Sequence, residues 1–257
     1  DTIARVATEC GISAGTLGEK DPSLDHGTLV PLYFICKRYT DFKLVRIGLS
    51  GLPLTEHYKL GMAITDAVNM LGRRAVYVAS GDLSHKLQVY GPYGFAPEGP
   101  EYDKRIMDVC GRGAFGELFD FDESFCNKAS ECGHRSFVIM AGVLDGDEVT
   151  VEKLSHEDVT GVGYGICTFH PSGSSDERRF LDSYLDALHK KLSSQKDTED
   201  EYVRLARASL ESYIQSRKEI SVPRWVPDEM KKERAGVFVS IHEHGRLRGC
   251  IGTFLPV

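Results

Sequence analysis

The chain reads as an α/β protein on three observations. Lys43-Leu-Val-Arg-Ile-Gly-Leu49 and Arg74-Ala-Val-Tyr-Val-Ala79 are short, apolar, partly β-branched runs bounded by turn residues, as the buried strands of a parallel or mixed sheet are. Between them, from about Thr55 to Leu71, Leu60, Ile64 and Val68 recur at helical spacing on one stripe. This β-α-β order predicts parallel neighbours and a right-handed crossover. Finally, 257 residues with 41% hydrophobic content suffice for a core domain of about 150 residues and a smaller module.

The other elements follow in order. Thr2 to Cys10 reads as the tail of a helix already under way, and Leu29 to Cys36 as a buried helix after a turn at His26. Tyr90 to Pro100 carries too many prolines and glycines for regular structure and forms a loop. Its Tyr90, Tyr93 and Phe95 either wall an aromatic pocket or pack the loop down. Helices run from Asp103 to about Leu144, and Val149–Lys153 and Gly161–Phe169 close the domain as strands. His170 to Ser175 opens a linker, and Asp176 to Gln195 is a charged helix with Phe180, Tyr184 and Leu188 on one stripe. Thr198-x-x-Glu201 is a capping box for an amphipathic helix reaching Ile214. Ala235–His242 and Leu247–Thr253 are strands joined by a turn at Glu243–Arg246.

Two constellations carry chemistry. The strand ending at Ala79 delivers Asp82 and His85, three residues apart, to the carboxyl end of a sheet, where α/β folds open their ligand crevice. An imidazole there suits acid/base work or metal ligation, and a carboxylate can fix its tautomer. The alternative is that Asp82 caps a short helix beginning at Leu83 and His85 is a surface residue. In Glu131-Cys-Gly-His-Arg-Ser136, a thiol, a carboxylate and an imidazole crowd the start of the apolar run Phe137–Leu144. A helix N-terminus lowers thiol pKa, so Cys132 is a candidate thiolate for iron, copper or zinc; otherwise it is a small buried hydrophobe.

Taken together, Asp25-His-Gly-Thr-Leu-Val-Pro-Leu32, Ser80-Gly-Asp-Leu-Ser-His85, Glu131-Cys-Gly-His134 and Gly163-Tyr-Gly-Ile-Cys-Thr-Phe169 resemble the Memo/LigB family, the class III extradiol ring-cleavage dioxygenase fold. The resemblance implies a LigB/Memo-like mixed sheet flanked by helices over residues 1–170. It implies an acid/base role for His85, an accompanying carboxylate at Asp82 and a pocket-lining role for His26. Cys132 falls at a metal position, where the dioxygenases place a carboxylate, so the metal set expected within this chain is Cys132 and His85. The implied cofactor is a divalent metal, ferrous iron first, with copper or zinc as alternatives. The implied substrate is a small catechol-type aromatic. The family's first two metal-ligating histidines precede anything equivalent to Asp1, so the chain is expected to be a fragment, inactive as given, of an active parent.

The last segment has its own resemblance. Leu247-Arg-Gly-Cys-Ile-Gly-Thr253, after such a helix and strand, is similar to the AMMECR domain, of which residues 198–257 would be the first part and 171–197 the preceding linker helix. The pairing resembles an AmmeMemoRadiSam-type fusion. It implies, as the rival to ring cleavage, a metal or redox accessory protein or a scaffold working with a radical-SAM partner. Within this part, Cys250 between glycines is a reactive thiol or a core residue, with Gly249 and Gly252 allowing tight strand packing. His242 and His244 share a strand face or flank an exposed turn. Arg246 and Arg248 form an anion site or a solvated edge.

Composition excludes several classes. The net charge of −7, with no basic segment, argues against nucleic acid, and the longest apolar run is too short for a bilayer. Seven cysteines, an odd count with no Cys-x-x-Cys, fit reduced thiols in a cytoplasm.

Overall fold

The computed structural model describes residues 1–15, 23–243 and 246–256, leaving aside the side chains of 243 and 246. It divides into two units, Asp1–Leu185 and Asp186–Val257. The class is mixed α/β, as expected, with helices and two antiparallel two-stranded sheets among the described residues.

In the first unit, helices α1 (Thr2–Glu9), α2 (His26–Ile35) and α3 (Leu54–Met70) precede the 80–97 loop region, and α4 spans Glu98–Arg112. A 3₁₀ turn at Phe115–Asp120 leads to α5 (Glu123–Ala129) and α6 (His134–Val143). Strands β1 (Asp147–Glu157) and β2 (Tyr164–Ser174) form an antiparallel ribbon, and α7 (Phe180–Asp197) runs across the boundary between the units. Residues 170–174, expected to open a linker, instead continue β2.

The core gathers Tyr58, Tyr102, Ile106, Phe115, Leu118 and Val138, all at most 1% exposed, with Phe180, Tyr184 and Leu185 of α7 packed against it. Helices α3 and α6 touch backbone to backbone. A Cβ on Gly61 would strike the Ile139 carbonyl, and one on Gly142 the Tyr58 carbonyl. Thr65 Oγ1 donates to the Val143 carbonyl (2.7 Å) and the Tyr58 hydroxyl to Asp145 (2.6 Å), fixing the register. Because backbone cannot yield as a side chain does, Gly142→Ala is expected to cost about 2 kcal/mol or more. A denaturant midpoint unchanged by the substitution would contradict this contact.

Three readings need correction. Residues 43–49 and 74–79, expected as parallel neighbours, run without ladder hydrogen bonds among the described residues, and Val45 and Val76 are 66% and 90% exposed. Their composition supplies a strand's side chains, but a strand also needs a partner, which local sequence does not encode. Likewise α2 has no buried residue, although it is apolar on all sides. An apolar helix buries only against a neighbouring face, and no residue of α2 is covered to that extent. The helix expected at Leu83 as an alternative for Asp82 does not form.

The second unit holds α8 (Glu201–Ser216), α9 (Asp228–Lys232), β3 (Val237–Glu243) and β4 (Arg246–Thr253), the strands antiparallel. Asp200, not Thr198, caps α8, its carboxylate accepting from Val203 N at 2.8 Å. The Thr198 hydroxyl instead donates to carbonyls of the preceding helix. Adjacent to the helix and charged, Asp200 is the better acceptor for its free amides. Gly252 permits close strand approach, since a Cβ there would strike the Val237 carbonyl, whereas Gly249 has open space. Cys250 is exposed rather than core, with the Ser240 hydroxyl 3.3 Å from its sulfur. His244, and with it the His242 pairing, lies outside the described residues, as does the Arg246 side chain.

Candidate metal centre

Two backbone segments meet to form the site. Gly81 and Gly133 lie against each other so closely that a Cβ on Gly81 would strike the Gly133 Cα, and only glycine permits that approach. The contact brings Asp82 beside Cys132: Asp82 N lies 3.2 Å from Cys132 Sγ, and Cys132 N donates to the Asp82 carbonyl at 3.4 Å. Further along, Leu83 N donates to Gly163 O, Gly163 N to Ser84 O, and His85 N to Ala129 O. These bonds hold the 82–85 segment between β2's entry and the end of α5. Asp103 on α4 locks it from beneath, accepting from Ser84 N at 2.8 Å.

The result is a cluster of three donors. One ligand atom each from Asp82, His85 and Cys132 lies within 4.8 Å of the others. His85 Nε2 is 3.3 Å from Asp82 Oδ2, yet it is a buried nitrogen without a hydrogen bond. Buried polar atoms are almost always satisfied, so this orphan marks a place made for a further group. Tyr93 stacks on the imidazole with ring centres 5.0 Å apart, so one of the three aromatic residues of the loop, which ends at Pro97 where α4 begins and not at Pro100 as expected, walls the site. Tyr90 is 77% exposed.

Electrostatics modify the expectation for Cys132. It precedes α6 as predicted and is exposed, but partial enclosure of its sulfur pushes the thiol up, and the Asp82 and Glu131 carboxylates add to that against a backbone hydrogen bond from Asp82. The helix terminus is outweighed, so the thiol keeps its proton until a cation displaces it. Glu131, itself raised by burial, accepts from His134 N at 2.6 Å. His134 is 2% exposed and serves the core: its Nε2–H donates to the Leu118 carbonyl (3.0 Å) and its Nδ1 accepts from Tyr102 (3.2 Å).

His26 does not join the cluster. It is the exposed first residue of α2, capped by Asp25, and its neighbour Gly27 meets the 80–85 segment, the Gly27 carbonyl accepting from Ser80 Oγ at 2.6 Å. Sequence reading missed Asp103 and its partner His156, Nε2 to Oδ2 2.8 Å, because 53 residues separate them and neither stands in a motif.

Residues 1–167 match the family described as the catalytic LigB subunit of aromatic ring-opening dioxygenase. The chain belongs to the LigB family. Residues 203–257 match AMMECR1, so a LigB-type domain is followed by an AMMECR1 domain. A protein of Clostridium acetobutylicum is 42% identical over 236 residues, covering 91% of this chain and 50% of that protein. A MEMO1 family protein of Thermococcus onnurineus is 31% identical over 190 residues, 65% of this chain and 62% of that one. A 2-aminophenol 1,6-dioxygenase beta subunit of a Pseudomonas species is 26% identical over 160 residues, 55% of this chain and 52% of that one. The LigB chain thus spans half the length of its Clostridium relative. Among the described residues no helix is long and apolar enough to cross a membrane.

Proposed function

We propose that the LigB domain holds a divalent metal, ferrous iron first with copper or zinc as alternatives, and acts on a catechol-type aromatic. The observation that carries this reading is the convergence of Asp82, His85 and Cys132 around an orphaned imidazole nitrogen. A thiol and a carboxylate beside an imidazole suit iron, copper or zinc rather than magnesium or calcium. When bound, a ferrous ion supplies the oxygen activation that ring opening requires. In this reading Cys132 and Asp82 anchor the ion, and His85 takes the proton from a substrate hydroxyl through Nε2. The Tyr93 ring against the imidazole keeps it oriented and offers an aromatic wall to a planar substrate. The Pseudomonas relative, named for 2-aminophenol, supports an aromatic substrate.

A second reading has its own support in Cys132. A thiolate beside activated oxygen is itself oxidised, which favours a metal or redox accessory protein acting with a radical-SAM partner. One experiment separates the two. The full-length protein, loaded anaerobically with ferrous iron, is given catechols and oxygen, and ring opening is followed by absorbance. His85→Ala is expected to keep its metal and lose turnover by on the order of a hundredfold or more. Unchanged turnover would remove the proton-transfer role, loss of metal would make His85 a ligand, and no turnover in either protein would leave the accessory reading.

A further inference from the structure

A cavity between α4 and β1 gathers polar side chains that the metal centre does not use. Its volume is about 330 Å³, at the lower end of the range for small-ligand sites, and none of Asp82, His85 and Cys132 lines it. Asp103, Lys104 and Met107 reach it from one face of α4. Lys153 and His156 reach it from β1, although residues three apart point to opposite faces of a regular strand. The ladder slips between Lys153, opposite Cys167, and Ser155, opposite Ile166. Leu154 is thus an extra residue, and this β-bulge turns Lys153 and His156 to the same side. Bulges re-aim side chains in this way beside functional sites.

The charges in the lining are unequally satisfied. His156 Nε2–H donates to Asp103 Oδ2 at 2.8 Å, and Asp103 also accepts from Ser84 N at 2.8 Å. Asp158 accepts from Gln88 Nε2, again at 2.8 Å. Among the described residues neither Lys104 nor Lys153 forms an ion pair, and Asp108, one turn along α4 from Lys104, is bridged to Arg112 at 2.7 Å. Nor does His156 Nδ1 make a hydrogen bond among those residues. The carboxylates are committed, and two ammoniums and an imidazole nitrogen are left for a ligand.

We propose that this cavity binds a small phosphate monoester, its phosphate on Lys104, Lys153 and His156 Nδ1 and its organic part against Leu87 and Met107. Two ammoniums call for a group near two negative charges. A phosphate monoester carries about −1.5 to −2 at neutral pH, with three strong acceptor oxygens, whereas a carboxylate supplies one charge. A phosphate oxygen also hydrogen-bonds Nδ1 whichever of the two holds the proton. Lysine meets such a group as a point charge, without the fixed geometry an arginine fork would demand.

The test is calorimetric titration of the full chain with phenyl phosphate, with benzoate as the singly charged comparison and Lys104→Gln, Lys153→Gln and Cys132→Ser alongside. Both lysines are exposed, so neither replacement removes core packing. One saturable site per chain is expected, weakened about tenfold or more by each lysine change and unaltered in Cys132→Ser. Benzoate should bind more weakly than phenyl phosphate. Absence of saturable binding, or binding that survives both lysine changes, would overturn the proposal. So would benzoate binding as tightly as phenyl phosphate, or loss of binding in Cys132→Ser, which would put the phosphate at the metal centre.

Discussion

Asp103→Ala is expected to destabilise the LigB domain by on the order of 3 kcal/mol and to weaken metal binding with it. Asp103 is 1% exposed and accepts two hydrogen bonds, from Ser84 N and from His156 Nε2. Burial raises its pKa and the His156 bond opposes the rise, so the carboxylate depends on these two donors to stay ionised. Alanine would leave the amide of Ser84, itself fully buried, without an acceptor. The cost reaches function because Ser84 lies between Asp82 and His85. Asp103→Asn keeps an acceptor for Ser84 and should lose less. Denaturant unfolding of both variants, with metal affinity measured on the same samples, checks the ordering. A loss below about 1 kcal/mol for alanine would contradict it.

The second large effect is acid lability through His134. Burial against Tyr102 and Phe121 lowers its pKa from 6.5 to about 4, which the hydrogen bond to the Leu118 carbonyl only partly opposes. Above pH 6.5 the ring is neutral in both folded and unfolded chains, and its contribution to stability is fully present. Below that, the unfolded chain takes up a proton that the folded chain refuses until about pH 4, so stability is lost as pH falls through this window. The loss is on the order of 3 kcal/mol. Between pH 7 and pH 4 the stability difference between wild type and His134→Gln should therefore narrow by that amount. A constant difference across the range would show that His134 titrates normally.

The local parts of the fold were legible from the residues, and the long-range parts were not. Helices α3 and α8 and the β1–β2 and β3–β4 ribbons follow from apolar periodicity and turn residues close in sequence. Apolar composition misled at α2, at 43–49 and at 74–79, because it states what a segment can bury and not whether a neighbour is there to bury it. The site was legible to the extent that its donors stand in short motifs, as Asp82, His85 and Cys132 do. Their meeting depends on the contact of Gly81 with Gly133, and the lock beneath them on Asp103, neither visible at short range. The thiol's protonation was misjudged for a related reason. The Asp82 carboxylate that opposes its ionisation comes from a segment 50 residues away.

The most direct test of the account is an anaerobic cobalt(II) titration of the full-length protein, followed by absorption and by proton release. Cobalt reports a sulfur ligand through a thiolate-to-metal charge-transfer band, and a protonated thiol must give up its proton to bind. Saturation at one ion per chain is expected, with that band and a released proton, both absent in Cys132→Ser. Saturation without the band, or a band that survives in Cys132→Ser, would contradict a metal centre anchored on Cys132.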